Sequence, residues 1–333
     1  MANPTQSDLH VSQPLTNISV AYIQSEDLYV ADKVFPRVPV QKQSDLYWKY
    51  HKSEWRRQDV ERRAPSTETP GVGWNVTTDQ YFAHVYGIHK DIDDQLRANA
   101  DSAFNMDRDA TKFITGQLLL KRDQDWVNTY FTNGVWDFET TGVASSPSTG
   151  EVLQWDNENS DPIGDVTSAV IDLRENTGFA PNTLVLGPRV MHALRHHPDI
   201  LERIKYTQRG IITEDLLASL FGVNKILVTW ASQVVGNPAR TQDPNVADDE
   251  ADYEFITGNH GLLVYSNPSP SLMTPSGGYT FTWNGYMGGN DRGIRVKRFR
   301  MEPIASDRIE AEMTYDMKLV SSDVGYFFNT IVA

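Results

Sequence analysis

Asp161-Pro-Ile-Gly-Asp-Val-Thr-Ser-Ala-Val-Ile-Asp-Leu-Arg-Glu-Asn-Thr-Gly-Phe-Ala-Pro-Asn-Thr-Leu-Val-Leu-Gly187 carries a helix and a strand with their boundaries written out. Asp161-Pro162 reads as an N-cap and a first-turn proline. Ile163, Val166, Val170 and Leu173 keep helical spacing, and Gly178 stands where a left-handed C-terminal residue belongs. The period then changes. Thr183-Leu-Val-Leu-Gly187 is a short, continuously apolar run of the kind a strand covered on both faces needs. Pro188 opens the next helix and His197-Pro198 ends it. Asp199 caps a short helix carrying Ile200 and Ile204, and Thr213 caps another with Leu216, Leu217 and Leu220 that Gly222 closes. Lys225-Ile-Leu-Val228 supplies a second buried strand. Residues 161–228 therefore predict a layered α/β core.

On the N-terminal side, prolines at 4, 14, 36 and 39 break any regular element in the first 45 residues, while Val20, Tyr22, Ile23, Leu28, Val34, Phe35 and Val38 need a surface to lie on. This predicts an extended arm packed on its own chain or on a neighbour. Leu46, Trp48 and Tyr50 then alternate outward, and Phe82, His84, Tyr86 and Ile88 alternate on the way back around the turn-rich Ala64-Pro-Ser-Thr-Glu-Thr-Pro-Gly71, which predicts a long β-hairpin. A two-stranded ribbon is marginal alone in water, so Trp48, Tyr50, Trp55 and Trp74 need a second surface to cover them. Met106, Ala110, Phe113, Leu120, Val127 and Phe131 form one stripe of a long helix, with Asp107, Arg108, Lys121 and Arg122 elsewhere on its circumference. Gly116 is a softer point inside it. Residues 134–160 read as a Gly/Ser/Thr-rich loop or short hairpin. After Val228 come an acidic loop, a strand Gly261-Leu-Leu-Val-Tyr265 and a Gly/Pro-rich excursion. Strands at Ile294–Phe299, Arg308–Tyr315 and Met317–Val320 close the chain.

Composition narrows the function classes. The chain has 333 residues, 39% hydrophobic and 11% aromatic, enough for two or three lobes, and no apolar run approaches the roughly 20 residues of a membrane helix. It has no cysteine, so no disulfide, thiolate metal site or cysteine nucleophile, and its first residues lack the pattern of a signal peptide. A formal net charge of -14 argues against a protein built to grip nucleic acid. The charges are also segregated. Residues 46–63 carry Lys49, Lys52, Arg56, Arg57, Arg62 and Arg63 against Glu54, Asp59 and Glu61, and residues 291–300 hold five basic side chains against one acidic. Residues 243–254 carry Asp243, Asp248, Asp249, Glu250, Asp252 and Glu254 and no basic side chain, so copies of the chain can meet through complementary faces.

Sequence signatures of catalysis are missing: there is no G-x-G-x-x-G after a strand, no phosphate-binding loop, no His-Glu-x-x-His and no Gly-x-Ser-x-Gly. His192 and His196, four apart on a helix and followed by His197, have a spacing that can serve a metal, but helix C-terminal histidines that favour the dipole explain them at less cost. The run Asp248-Asp-Glu-Ala-Asp-Tyr-Glu254 lacks the order of a calcium loop. No cofactor and no metal are expected, and the chain is not expected to be an enzyme.

The order of elements around Asn176-Thr-Gly-Phe-Ala-Pro-Asn-Thr-Leu-Val-Leu-Gly187 resembles the axial domain of tailed-bacteriophage major capsid proteins, the Hong Kong 97-type capsid fold. The resemblance implies an α+β fold divided into an N-terminal arm (1–45), an extended β-hairpin loop (46–90), a first part of a peripheral domain with a long spine helix (91–160), an axial α/β domain (161–290) and a second peripheral part (291–333). It implies a subunit that assembles with itself into hexamers and pentamers of an icosahedral shell around double-stranded DNA, in a virion assembled in the bacterial cytoplasm. Its other implied partners are a separate scaffolding protein, since about 45 residues before the hairpin leave no room for a built-in one, together with a portal and a decoration protein. Membrane contact is not implied. The inter-subunit contact candidates are Trp48, Lys49, Tyr50, Lys52, Trp55, Arg56, Arg57, Arg62, Arg63 and Trp74. Lys49 or Lys52 would also be the donor of the covalent cross-link some relatives use, though no acceptor asparagine can be matched. The alternatives are an encapsulin-like cellular compartment and, further off, a soluble α/β enzyme using the His192/His196 pair.

Overall fold

A computed structural model of the chain describes residues 25–100, 105–204, 213–235, 252–269, 274–287 and 293–333. In chain order they form α1 (Ala31–Val34), β1 (Arg37–Val40), β2 (Ser44–Tyr50), α2 (Lys52–Trp55), β3 (Val76–Phe82), β4 (His84–Asp93), α3 (Asp94–Asn99) and α4 (Met106–Tyr130). Next come β5 (Phe138–Val143), β6 (Glu151–Leu153), α5 (Pro162–Thr177), β7 (Thr183–Leu186), α6 (Pro188–His196), α7 (Pro198–Ile204), α8 (Glu214–Phe221) and β8 (Lys225–Val228). The rest are β9 (Ser232–Val235), β10 (Asp252–Phe255), β11 (Gly261–Val264), β12 (Gly278–Trp283), α9 (Asn284–Met287), β13 (Ile294–Met301), β14 (Ser306–Leu319) and β15 (Gly325–Asn329).

The helix boundaries follow the local chemistry. The Asp161 carboxylate accepts from Gly164 N–H at 2.9 Å with Pro162 in the first turn, and Gly178 ends α5 at φ 79°, a conformation that costs a residue without Cβ little. The Thr213 hydroxyl accepts from Leu216 N–H, and Gly222 closes α8 at φ 69°. One boundary moves: Asp199 lies in the first turn of α7, and its N–H is capped instead by Nδ1 of His197 at 3.3 Å.

A six-stranded sheet in the order β6-β5-β15-β11-β7-β8 forms the α/β core. Leu184, Leu186, Leu263 and Phe328 face a cluster with Val166, Leu173, Val190, Met191, Leu194 and Leu217 of the helices. Val185, Leu262, Val264 and Phe327 face the other way, onto Trp126 of α4 and Trp136. Burial on both faces is why β7 and β11 read as unbroken apolar runs. This sheet does not respect the expected boundaries at 160/161 and 290/291, because β5, β6 and β15 are hydrogen-bonded into it. The connection at 134–160 is accordingly no hairpin, since β5 and β6 pair in parallel.

The second sheet is centred on β14, one continuous strand of 14 residues where two had been expected. It pairs with β4 on one side and with β13 and then β12 on the other. Ile309, Ala311, Met313, Tyr315 and Met317, alternate residues of β14, are buried in the cluster that α4 covers. The helix itself is 25 residues long, as predicted in kind, but rotated from the expected stripe. Phe113 is 52% exposed, while Ile114, Leu118, Trp126 and the charged pair Arg122 and Asp123 are buried.

That charged pair explains the fate of the expected arm. Both carboxylate oxygens of Asp123 accept backbone N–H groups, Val30 at 3.0 Å and Ala31 at 2.9 Å, and Arg122 pairs with Asp32 at 2.6 Å. Tyr29, Val30, Val34 and Phe35 are thereby built into the subunit's own core, with Phe35 edge-on to Trp126, and β1 adds a parallel strand to β12. Residues 29–40 thus pack on their own chain, with Tyr29, Val30, Ala31, Val34 and Phe35 in its core, and the expected arm before residue 25 lies outside the described residues.

Candidate functional site

The hairpin is shorter than its alternation suggested. β2 pairs with β3 from Ser44–Phe82 to Tyr50–Val76, and the chain then leaves it at Ala83. His84, Tyr86 and Ile88 belong to β4 in the β14 sheet instead of the returning hairpin strand. Alternation runs on from β3 into β4 because both strands have one covered face, so the sequence alone does not mark the change of partner.

Directly opposed residues share a face, and the two faces of this hairpin differ. On the inner face Tyr81 stacks on Phe281 at 4.5 Å and Tyr47 lies tilted on it at 5.5 Å. Asp79 accepts from the Tyr47 hydroxyl at 3.0 Å and pairs with Lys49 at 3.0 Å. The Lys49 ammonium holds the Asp79 carboxyl below its usual range, and burial pushes the Tyr47 phenol up. The outer face carries Leu46, Trp48 and Phe82, with Trp48 60% exposed. An apolar face of this kind on a two-stranded ribbon is unstable to leave in water.

Past Tyr50 the chain turns through α2. Trp55 stands edge-on to Tyr50 and tilted on Trp74, each at 6.0 Å between ring centres, and Glu54 accepts from the Asn75 side chain at 2.8 Å to tie the two sides of the loop. Trp55 and Trp74 remain more than half exposed. The loop also touches its own subunit. Lys52 donates to Asn176 Oδ1 at 2.9 Å and pairs with Asp323 at 2.8 Å, while Arg56 donates to the backbone carbonyls of Glu175, at 2.9 Å, and Asn176. These carbonyls are at the end of α5, where unpaired C=O groups and the negative end of the helix dipole attract cations. A cleft of about 750 Å³ lined by Lys52, Arg56, Phe138, Asp172 and Asn176 lies between loop and helix.

The ten candidate residues therefore divide. Trp48, Trp55 and Trp74 present apolar surface to solvent, with Tyr50 at the edge of the cluster. Lys49 is engaged within the hairpin, and Lys52 and Arg56 with α5. Arg57 pairs with Asp59, Arg63 donates to the Thr67 carbonyl at 2.6 Å, and Arg62 is exposed. Leu46 and Phe82 complete the outer face and were not among the candidates. Leu46 was legible from its alternation with Trp48, whereas Phe82 joins only through its register with Ser44.

The described members of the second basic run, Arg295, Lys297, Arg298 and Arg300, are neutralised in place. Arg295 and Lys297 meet Glu312 at 2.6 and 2.7 Å, Arg298 meets Asp307 and Asp107, and Arg300 meets Asp94. Arg300 holds the Asp94 carboxyl, and Arg298 that of Asp307, below the usual range. The histidines are likewise accounted for. His196 Nδ1 lies 2.8 Å from the His192 carbonyl, and the two rings are 4.4 Å apart on an exposed helix end. Among the described residues no group of three His, Asp or Glu side chains is placed to hold a metal ion. His197 is buried, with Nε2 3.1 Å from Ser160 Oγ, as a structural link between α6 and the segment before α5. The acidic stretch up to Ala251 lies outside the described residues.

Comparison with known proteins extends over the whole chain. The major capsid protein of Burkholderia phage BcepMu is 23% identical over 331 residues, 98% of each chain, and that of Pseudomonas phage JBD67 is 24% identical over 325 residues, 97% of each. This chain is a homologue of phage major capsid proteins. No family model matches it. Its fold agrees: a phage-related protein from Bordetella bronchiseptica RB50 superposes with a TM-score of 0.66 at 21% identity, covering 92% of this chain and 93% of the other. The capsid of cyanophage P-SCSP1u gives 0.63 at 10% identity over 97% and 93%. The capsid homologue thus has the α+β Hong Kong 97-type fold. The SrpI encapsulin of Synechococcus elongatus PCC 7942 shares that fold at a TM-score of 0.53 and 9% identity, over 96% of this chain and 95% of the other.

Proposed function

We propose that the chain is the major capsid protein of a phage head, a structural and non-enzymatic subunit whose copies form the hexamers and pentamers of an icosahedral shell around packaged double-stranded DNA. The observation that carries this reading is the end-to-end match to the BcepMu capsid protein, which takes in hairpin, long helix and both sheets rather than the α/β core alone. An enzyme sharing only that core would not need an aromatic face turned to solvent on a projecting hairpin. The encapsulin likeness is weaker in both superposition and identity, and supports the fold.

In this reading the six-stranded sheet and α5–α8 make the axial domain, and α4 with the β14 sheet makes the peripheral domain. Trp48, Tyr50, Trp55 and Trp74 lie at the contact with a neighbouring subunit, where interface cores favour aromatic side chains. Modest contacts suffice, because closure of a symmetric shell multiplies each one. The net charge of -14 keeps the wall from adhering to the packaged genome. The shell protein belongs to the virion and is assembled in the host bacterial cytoplasm with a separate scaffolding protein and a portal.

Light scattering and negative-stain microscopy of the chain, expressed alone and with the scaffolding protein from the same genome, test this. Closed particles of uniform size are expected with the scaffold. A monomer that persists across salt and protein concentration in both cases would overturn the reading, and uniform closed shells from the chain alone would remove the scaffold from it.

A further inference from the structure

The β2–β3 hairpin is held to its own subunit at two places. Among the described residues its two strands pair only with each other. Near its base, Tyr47 and Tyr81 lie on Phe281, and Phe82 N–H donates to Asp316 at 2.8 Å. Beyond its far end, Lys52 reaches Asp323 at 2.8 Å and Asn176 Oδ1 at 2.9 Å, and Arg56 donates to the carbonyls of Glu175 and Asn176. Glu54 ties the returning side of the loop to the same turn by accepting from the Asn75 side chain. From Ser44, opposite Phe82, to Tyr50 the strand has seven residues, about 20 Å at roughly 3.3 Å each.

A ribbon held at its base alone can swing, and a hold at the far end fixes its direction. The far hold adds little to stability, because the Lys52 side chain is 47% exposed and ion pairs so placed are worth little. It also leaves the aromatic surface uncovered, since Trp48, Trp55 and Trp74 stay more than half exposed with every one of these contacts made. Contacts that neither bury the apolar face nor secure the fold act on where that face points. A face aimed correctly only about a tenth of the time binds its neighbour about tenfold more weakly. A closed shell multiplies the loss.

We propose that Lys52 and Arg56, seated on Asp323 and the end of α5, are positioning residues that clasp the hairpin in the direction from which its outer face meets a second copy of this chain. The proposal rests on the capsid reading and names what aims the hairpin within it. Spin labels on Thr77→Cys and Ile171→Cys, exposed positions of the hairpin and of α5 in a chain without cysteine, test it in the unassembled subunit. A single narrow distance distribution is expected, which Lys52→Glu and Arg56→Gln each broaden while the melting temperature stays unchanged. In scaffold-assisted assembly, Lys52→Glu or Asp323→Lys alone lowers particle yield by about tenfold or more. The charge swap, Lys52→Glu with Asp323→Lys, recovers most of it. A distribution that stays narrow in both Lys52→Glu and Arg56→Gln, or one that broadens with undiminished yield, overturns the proposal, as does a swap variant that folds and recovers nothing. Absence of particles from the unmodified chain would instead refute the capsid reading, with the spin-label distances still deciding whether the clasp holds the hairpin.

Discussion

The six-stranded sheet and the β2–β3 hairpin use the same kinds of side chain in opposite ways. In the sheet, Leu184, Val185, Leu186, Leu262, Leu263 and Val264 have no accessible surface at all. In the hairpin, Leu46 and Trp48 leave more than half of theirs in water, although the backbone ladder is complete. Folding of the subunit explains the first arrangement and not the second, because an exposed apolar face contributes little to a monomer's stability. The difference teaches that stability resides in the sheets and α4, and it is the ground on which we propose that the hairpin's apolar face serves association.

Substitutions can break this contrast from either side. The largest effect is expected for Leu186→Ala, which removes a fully buried side chain between the sheet and the helices that cover it and should cost about 2–5 kcal/mol in denaturant unfolding of the unassembled subunit. A cost below about 1 kcal/mol would mean that the sheet is not the stabilising region. Next is the junction at Asp123. Burial pushes its carboxyl up to about 6, against the opposing pull of the Val30 and Ala31 N–H groups and Arg122, with Asp32 the other charge near it. A carboxyl whose folded value is raised binds its proton more tightly in the native state, so stability grows as pH falls from 7.5 towards 5. The gain should be about 1 kcal/mol, because only the last unit of that range lies below the folded value, at 1.36 kcal/mol per unit. Asp91, Asp94 and Asp307 are held low by arginines and stay ionised over that window, so they do not oppose it. Burial holds the His260 imidazole below its usual value and so works the other way over the same window. The Asp123 contribution is therefore the difference in slope between thermal melts of the unmodified chain and of Asp123→Asn, which should lose the gain at low pH.

A smaller effect sharpens the role of α4. Gly116 lies inside the helix with open space where a Cβ would stand, so Gly116→Ala should raise unfolding stability by about 0.5–1 kcal/mol. A loss measured by the same denaturation would show that the helix must bend there.

What could be read from the chain was mostly what neighbouring residues decide. The caps at Asp161 and Thr213 and the glycines at 178 and 222 fall where the sequence placed them, since each acts within one turn. That order of elements alone gave a layered α/β core, and the capsid fold came from its resemblance to a family. Partnerships across long separations were not legible. Nothing local says that β15 and β5 enter the sheet of β7, that β4 leaves the hairpin for β14, or that Glu312 neutralises Arg295 and Lys297 on the strand opposite it. The rotation of α4 has a similar cause. Arg122 read as lying off the apolar stripe, and it and Asp123 are buried only because the segment at Asp32 and Val30 satisfies them. At the candidate site the aromatic residues were legible as exposed surface in search of a cover. The engagement of Lys52 and Arg56 by the end of α5 was not, because it joins positions more than a hundred residues apart.

The most direct test pairs two readouts on one variant, Trp48→Ala. Thermal melting of the unassembled subunit should move by no more than about 0.5 kcal/mol, as for other exposed substitutions. Particle yield in the scaffold-assisted assembly should collapse. A subunit that loses several kcal/mol, or shells that form at the normal yield, would contradict the assignment of the hairpin's outer face to assembly.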